Sequence, residues 1–306
     1  MMELTSLNML LEMAKAAPQK KVMAVAAAED RPVIRSALRA WQYGLVTPIF
    51  TGDAPKIRRL IEEEGQNADA FRILPASSVE EAASLAVQLV RAGEADVLMK
   101  GLLDTSKLMK PVVNKEAGLN RGAPMTHLAL YELPHYHKLI GNTDSGIMLY
   151  PNLEDKKNII RNATAALHAL GYEKPKFAVL CAVEKVNPKM QETVDAAALQ
   201  LCNEQGELSG CTVEGPLSYD VAMSREIAQH KGFSSPNCGD FDVLVQPSLA
   251  AGNIMGKSWG VTCGAKTAGV VLGAACPIVL TSRGASEEEK HLSIALAALT
   301  AKVQDK

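Results

Sequence analysis

The chain of 306 residues lacks a surplus of charge of either sign, with 32 Lys and Arg against 34 Asp and Glu for a formal net charge of -2. Nucleic acid and other polyanions are recognised by clustered surplus cations, so they are not expected as partners. A long unbroken apolar run is also missing. The longest, Ala268 to Leu280, is interrupted by Pro277 and falls short of the ~20 residues that cross a bilayer, so no membrane partner is expected. Glu3 and Glu12 stand in the N-terminal stretch MMELTSLNMLLEMAKAAPQKK, where a secretory leader has basic and then unbroken apolar residues; an amphipathic helix is expected instead. The six cysteines form no CxxC pair. They read as buried small hydrophobes of a reducing compartment, which points to the cytoplasm. The GxxxxGK[ST] phosphate loop, the GxGxxG fingerprint and the GxSxG elbow are absent. A nucleoside triphosphatase, a Rossmann dinucleotide enzyme and an elbow-type serine hydrolase therefore have no motif to rest on.

What is present is an ordinary globular composition, 47% hydrophobic and 22% charged, in a chain long enough for two domains. From residue 21 onward, short β-branched runs alternate with stretches of helical period, the pattern of βαβ units around a parallel sheet. KVMAVAAA, Val46 to Thr51, Ile73-Leu74 and Ala95 to Met99 read as strands. Between them, Arg31 to Tyr43, Asp53 to Glu64 and Glu81 to Arg91 read as helices, with Asp53 and Ser77 or Ser78 placed to cap two of them. HLALYEL and HKLIGNTDSGIMLY follow one another without a helix-length connection, so antiparallel pairing is expected. Alternation then resumes through Glu154 to Leu170, PKFAVLCAV, Pro188 to Glu204, CTVEG, Ser218 to His230 and FDVLVQP. The last strand, Pro277 to Thr281, leads into a helix from Glu287 to Lys302. Two doubly wound α/β domains with a cleft between them are expected, one from residues 1–137 with 281–306 and one from 138–280.

Open α/β sheets bind ligands beyond the carboxyl ends of their strands. The segment Lys100-Gly101-Leu102-Leu103-Asp104-Thr105-Ser106 puts a cation, a glycine and hydroxyls at a helix start suited to an anion; the plainer reading is a turn capped by Thr105 or Ser106. Leu280 to Ser286 repeats the arrangement with Ser282 and Arg283, a guanidinium able to grip phosphate in bidentate fashion; the plainer reading is a cap at Ser286. Gln246 to Lys257 carries Gly252, Asn253 and Lys257, where small residues admit either a ligand or a neighbouring element. In Glu214 to Asp220, Ser218 or Asp220 is placed to cap a helix. His135 and His137 would share a strand face, but no Cys or carboxylate pair stands near them in sequence, and no metal is expected.

The stretches MKGLLDTSKLMKPVVNKEAGLNRG, AVEKVNPKMQETVDA, EGPLSYDVAMS, DFDVLVQPSLAAGNIMGKSWG and PIVLTSRGASEEEKHLSIALA together resemble the phosphate acetyltransferase and phosphate butyryltransferase family, in the family's order and nearer its butyryl branch. The resemblance implies an architecture similar to the isocitrate and isopropylmalate dehydrogenases. It also implies reversible acyl transfer between coenzyme A and inorganic phosphate, with acyl-CoA and acyl phosphate as partners and no cofactor beyond coenzyme A as substrate. A homodimer or larger homo-oligomer follows from it too. In the acetyl branch the base is an Asp in the helix after SRG, and the matching position here is Glu289, one methylene longer. On this resemblance Ser282 is expected to donate to the carbonyl oxyanion and Arg283 to neutralise the leaving phosphate. Lys100, Gly101, Thr105, Ser106, Gly252, Asn253 and Lys257 are expected to line the substrate site, and the resemblance puts Lys110 where the acetyl branch tends to have a cleft arginine. Competing expectations are the acetyl rather than the butyryl activity, a non-catalytic acyl-CoA-binding module, and a nicotinamide-dependent hydroxy-acid dehydrogenase.

Overall fold

A computed structural model describes residues 3–281 and 284–301. The chain divides into two compact units, Met1–Leu7 with Thr126–Thr267, and Asn8–Met125 with Ala268–Lys306.

The second of these begins with helix α1 (Asn8–Ala16) and strand β1 (Lys21–Ala26). Helix α2 (Arg31–Gln42) follows, its first turn held by the Asp30 carboxylate, which accepts from the Val33 amide, with Pro32 just inside. Next come β2 (Val46–Gly52), α3 (Ala54–Glu63), β3 (Arg72–Pro75) and α4 (Val79–Arg91). Asp53 and Ser78 cap α3 and α4 as expected, accepting from Lys56 and Glu81. After β4 (Val97–Lys100) and α5 (Thr105–Val112), the chain returns to this unit with β10 (Lys266–Leu272), β11 (Ile278–Val279) and α11 (Glu287–Thr300). The strand order is β3-β2-β1-β4-β11-β10, parallel except where β10 runs against β11. The order in which strands are added reverses at β1/β4, which makes the crevice beyond their carboxyl ends a topological switch point. Val25, Phe50, Leu98 and Ile278 are buried in the sheet, with Ile34, Ile57 and Leu296 packed from the helices.

The other unit has the order β5-β6-β9-β7-β8. Strands β5 (Thr126–Glu132) and β6 (Ile140–Thr143) are antiparallel, as their short connection requires. β6, β9 (Val243–Val245), β7 (Lys176–Leu180) and β8 (Thr212–Leu217) are mutually parallel. Between them run α6 (Leu153–Ala169), closed by an Asn152–Asp155 capping box, α7 (Gln191–Glu204) and α10 (Leu249–Thr262). The helix expected over Ser218 to His230 is two pieces, α8 (Tyr219–Met223) and α9 (Arg225–His230). Ser224 breaks them apart: its backbone is extended, and its hydroxyl caps α9 through the Ile227 amide. His135 and His137 lie in the turn between β5 and β6 rather than on a strand. Ile140, Phe241, Leu244, Leu217 and Trp259 form the core. Among the described residues, no helix is long and apolar enough to cross a membrane.

Candidate active site

The carboxyl edge of the β1/β4/β11 sheet gathers two of the expected segments. Val279 pairs with Met99, so the chain leaving β11 and the chain leaving β4 emerge side by side. Gly101 donates its amide to the Ala26 carbonyl at 2.8 Å, and a Cβ there would overlap the Ala26 and Ala27 carbonyl oxygens. Lys100 folds its ammonium back onto the Leu103 carbonyl at 3.1 Å. Asp104, not Thr105 or Ser106, occupies the N-cap position of α5, so both hydroxyls stand exposed in its first turn. Ser106 and Lys110, one helical turn apart, line a cavity of about 620 Å³ together with Glu80, Arg91 and Asn114. Lys107 closes one side of it through a 2.9 Å ion pair with Glu80.

Ser282 and Arg283 lie outside the described residues. Downstream of them, Ser286 caps α11 by accepting from the Glu289 amide at 3.0 Å. Burial raises the pKa of the Glu289 carboxyl, against the pull of Lys290; a proton is thereby held more readily on it than on a solvated glutamate. Lys290 itself is buried and donates to the Ala285 carbonyl at 2.7 Å.

In the other unit the three residues expected from α10 part company. Gly252 is spent on packing: a Cβ would sit 2.6 Å from the Asp144 carbonyl oxygen and 3.0 Å from Ser145 Cα. Asn253 reaches the same loop, its amide nitrogen 3.4 Å from the Ser145 carbonyl. Lys257 is exposed. That loop was not singled out in the sequence, although Thr-Asp-Ser-Gly directly after a strand was the available signal. Asp144 is buried and accepts from the amides of His127, Gly146 and Ile147 at 2.7–2.8 Å. His127 Nδ1 lies 2.9 Å from Ser145 Oγ. Burial pushes the pKa of the His127 imidazole down, against the pull of Asp144.

Beyond the ends of β7 and β8, Ser218 does not cap α8. Its hydroxyl donates toward Glu184 and Asp220, and Lys231 meets both carboxylates at 3.2 and 3.0 Å. The pKa values of Glu184 and Asp220 are lowered, first by the hydrogen bond from Ser218 and also by that from Lys231. His137 does meet carboxylates, contrary to the reading from local sequence: the fold brings Glu3 and Asp240 to it, their ligand atoms all within 4.8 Å of one another. Lys138 and Lys176 already supply positive charge there, pairing with Asp240.

Residues 74–298 match the family model described as phosphate acetyl/butaryl transferase. The chain belongs to this family. A phosphate butyryltransferase of Clostridium acetobutylicum is 40% identical over 97% of this chain and 98% of its own. A phosphate acetyltransferase of Thermotoga maritima is 40% identical over 96% and 99%. Among solved structures, a branched-chain phosphotransacylase of Enterococcus faecalis superposes with a TM-score of 0.80 at 30% identity, covering 92% of this chain and 99% of that one. A 4-hydroxythreonine-4-phosphate dehydrogenase of Klebsiella pneumoniae, at 14% identity and a TM-score of 0.55 over 93% of this chain and all of that one, shares the fold alone. That likeness shows the isocitrate/isopropylmalate dehydrogenase-like α/β fold. Family membership makes the chain an enzyme of the phosphate acyltransferase type and gives the dehydrogenase reading no support beyond architecture.

Proposed function

We propose that this phosphate acyltransferase exchanges a short acyl chain between coenzyme A and inorganic phosphate, with butyryl preferred over acetyl. The observation that carries the preference is the near full-length similarity to phosphate butyryltransferases of two Clostridium species, at 40% and 38% identity. The thioester, the phosphate and the thiol balance among themselves, so the reading takes no metal or other cofactor, and coenzyme A enters as substrate.

Attack on the acyl carbonyl creates an oxyanion and a proton to be moved. In this reading Ser282 donates to the oxyanion, Arg283 holds the phosphate, and Glu289 is the general base, a role its raised pKa supports. Ser106 and Lys110, beside their cavity, meet an anionic part of the substrate, with Lys100, Gly101 and Thr105 shaping the same strand end. Gly252, Asn253 and Lys257 are assigned to the substrate side of α10, Gly252 acting indirectly by seating the Asp144–Ser145 loop. Within the chain-length question, Met99 is fully buried in β4 whereas Leu102 is half exposed just beyond it, which makes Leu102 the better placed of the two to meet an acyl chain. A homo-oligomer in the cytoplasm completes the reading; the six cysteines are all free thiols, as a reducing compartment requires.

The test is thiol release from acetyl-, propionyl- and butyryl-CoA with and without phosphate and chelator. Release that requires phosphate, survives chelator and is fastest with butyryl-CoA is expected. Fastest release with acetyl-CoA overturns the preference, and binding of acyl-CoA without release overturns the activity in favour of a non-catalytic module.

A further inference from the structure

Lysine is rarely buried without a partner of opposite charge, yet Lys290, next to Glu289 in the first turn of α11, is only 9% exposed. Its ammonium donates to the Ala285 carbonyl at 2.7 Å, and among the described residues it forms no ion pair. A buried charge without a counter-charge is costly, so stability alone gives no reason for a lysine here. The acceptor is informative. Ala285 precedes the N-cap Ser286, so the bond pins the chain that leaves Ser282-Arg283-Gly284 onto the body of the helix. Ser286 in turn accepts from the Glu289 amide. Burial raises the pKa of the Glu289 carboxyl, and the charge of Lys290 pulls the other way. The elements packed most closely on α11 are α1, α2, β11 and β2. Strands β2 and β11 carry no charged residue, and Glu12 and Lys15 of α1 are exposed. In α2, Arg31 and Arg35 are taken by Glu63, Glu64 and Glu287, and Arg39 stands over the Tyr43 ring beside His291.

We propose that Lys290 is the positioning residue for Glu289: its ammonium ties the Ala285 carbonyl to α11 and supplies the positive charge that offsets the burial of the base. The assignment rests on the acyl-transfer reading and keeps Glu289 as its general base, with Lys290 acting through that carboxylate rather than on the substrate. A carboxyl in an apolar setting holds its proton and cannot accept another, whereas a cation beside it favours the ionised form that can. Loss of the charge therefore harms the enzyme most at low pH, where Glu289 keeps its proton, and least at high pH, where Glu289 ionises without help. Loss of the carbonyl clamp acts equally at every pH. The two contributions separate in a pH profile, and a lysine that only braced the helix would show the second alone.

The experiment follows kcat and KM for coenzyme A and butyryl phosphate from pH 6 to pH 9 in the wild type, Lys290→Met, Lys290→Arg, Glu289→Gln and Glu289→Gln with Lys290→Met. Met keeps the unbranched apolar stem and removes a buried charge, so the fold should be retained with Tm at or above that of the wild type. Lys290→Met should lose about twentyfold in kcat at pH 6, shrinking to about two- to threefold at pH 9. Lys290→Arg keeps a charge and a donor and should recover most of the loss at pH 6. With Glu289→Gln already in place no carboxyl is left to titrate, and Lys290→Met should cost the same two- to threefold at every pH. A Lys290→Met loss that does not vary with pH, or one that varies equally in the Glu289→Gln background, overturns the assignment while leaving the activity standing. A Glu289→Gln enzyme with wild-type kcat overturns the base and the assignment together. A wild type that moves no acyl group between coenzyme A and phosphate overturns the acyl-transfer reading itself. Should Lys290→Arg fail to fold, the Lys290→Met profile decides.

Discussion

Helix α10 contains a matched pair of glycines that should respond to the same substitution with opposite sign. At Gly252 an added methyl would lie 2.6 Å from the Asp144 carbonyl oxygen, 3.0 Å from Ser145 Cα and 3.0 Å from Gln246 Cγ, whereas at Gly260 it would meet nothing within 4 Å. Relieving the first contact to an ordinary 3.4 Å moves backbone by about 0.8 Å, and the Ser145 Cα blocks the sideways escape. Overpacking of this kind costs about 1–3 kcal/mol, against a helix-propensity gain of about 1 kcal/mol for Ala over Gly. Gly252→Ala should therefore lose up to about 2 kcal/mol, while Gly260→Ala gains about 0.5–1 kcal/mol. In units of this size each kcal/mol moves Tm by roughly 2–4 °C, so thermal unfolding followed by circular dichroism should separate the two by several degrees. Gly252 is also assigned to the substrate side of α10 and Gly260 is not, so Gly252→Ala should lower kcat and Gly260→Ala should not. Equal shifts of one sign in both variants would refute the reasoning, since they would mean that helix propensity outweighs the Asp144 contact.

Three further perturbations test other groups. His291 is 2% exposed, both its ring nitrogens are buried without a hydrogen-bond partner, and burial together with Arg39 pushes its pKa down to about 4. The unfolded chain binds that proton first, so stability is full above about pH 6.5 and falls by roughly 3 kcal/mol as pH drops toward 4. His291→Leu should flatten that limb in urea titrations, and an unchanged limb would clear His291 of the effect. Glu289 has the opposite sign from an ordinary paired carboxylate, because its raised pKa means that ionising it costs stability as pH rises; Glu289→Gln should raise Tm at pH 7 more than at pH 4, read by calorimetry at both. The Lys156–Asp195 pair is buried at 2.6 Å, with Gln191 also donating to Asp195. Asp195→Asn leaves the ammonium buried without its counter-charge and should cost about 3–5 kcal/mol in urea unfolding, while Lys156→Met with Asp195→Leu should recover most of it.

Element type was legible in the sequence wherever it depends on neighbours within a few residues. Asp53 and Ser78 cap the helices that follow them because a cap bond spans three residues. The antiparallel β5–β6 pair follows from a connection too short for a crossover. The motif-bearing stretches likewise pointed to the family, because several long segments in a fixed order are a linear property. Tertiary structure alone decided what those stretches touch. Ser224 splits one expected helix because its own hydroxyl offers the next turn a cap, and Gly252 packs against the Asp144 carbonyl 108 residues away. His137 gained carboxylates from residues 3 and 240, which no local spacing displays. His127 and Ser145 are separated by 18 residues and joined by strand register. The physical reason is common to all of these: caps, turns and periodicity are fixed by the chain's own short-range geometry, whereas contacts between strand ends exist only once the sheet has closed the long loops between them.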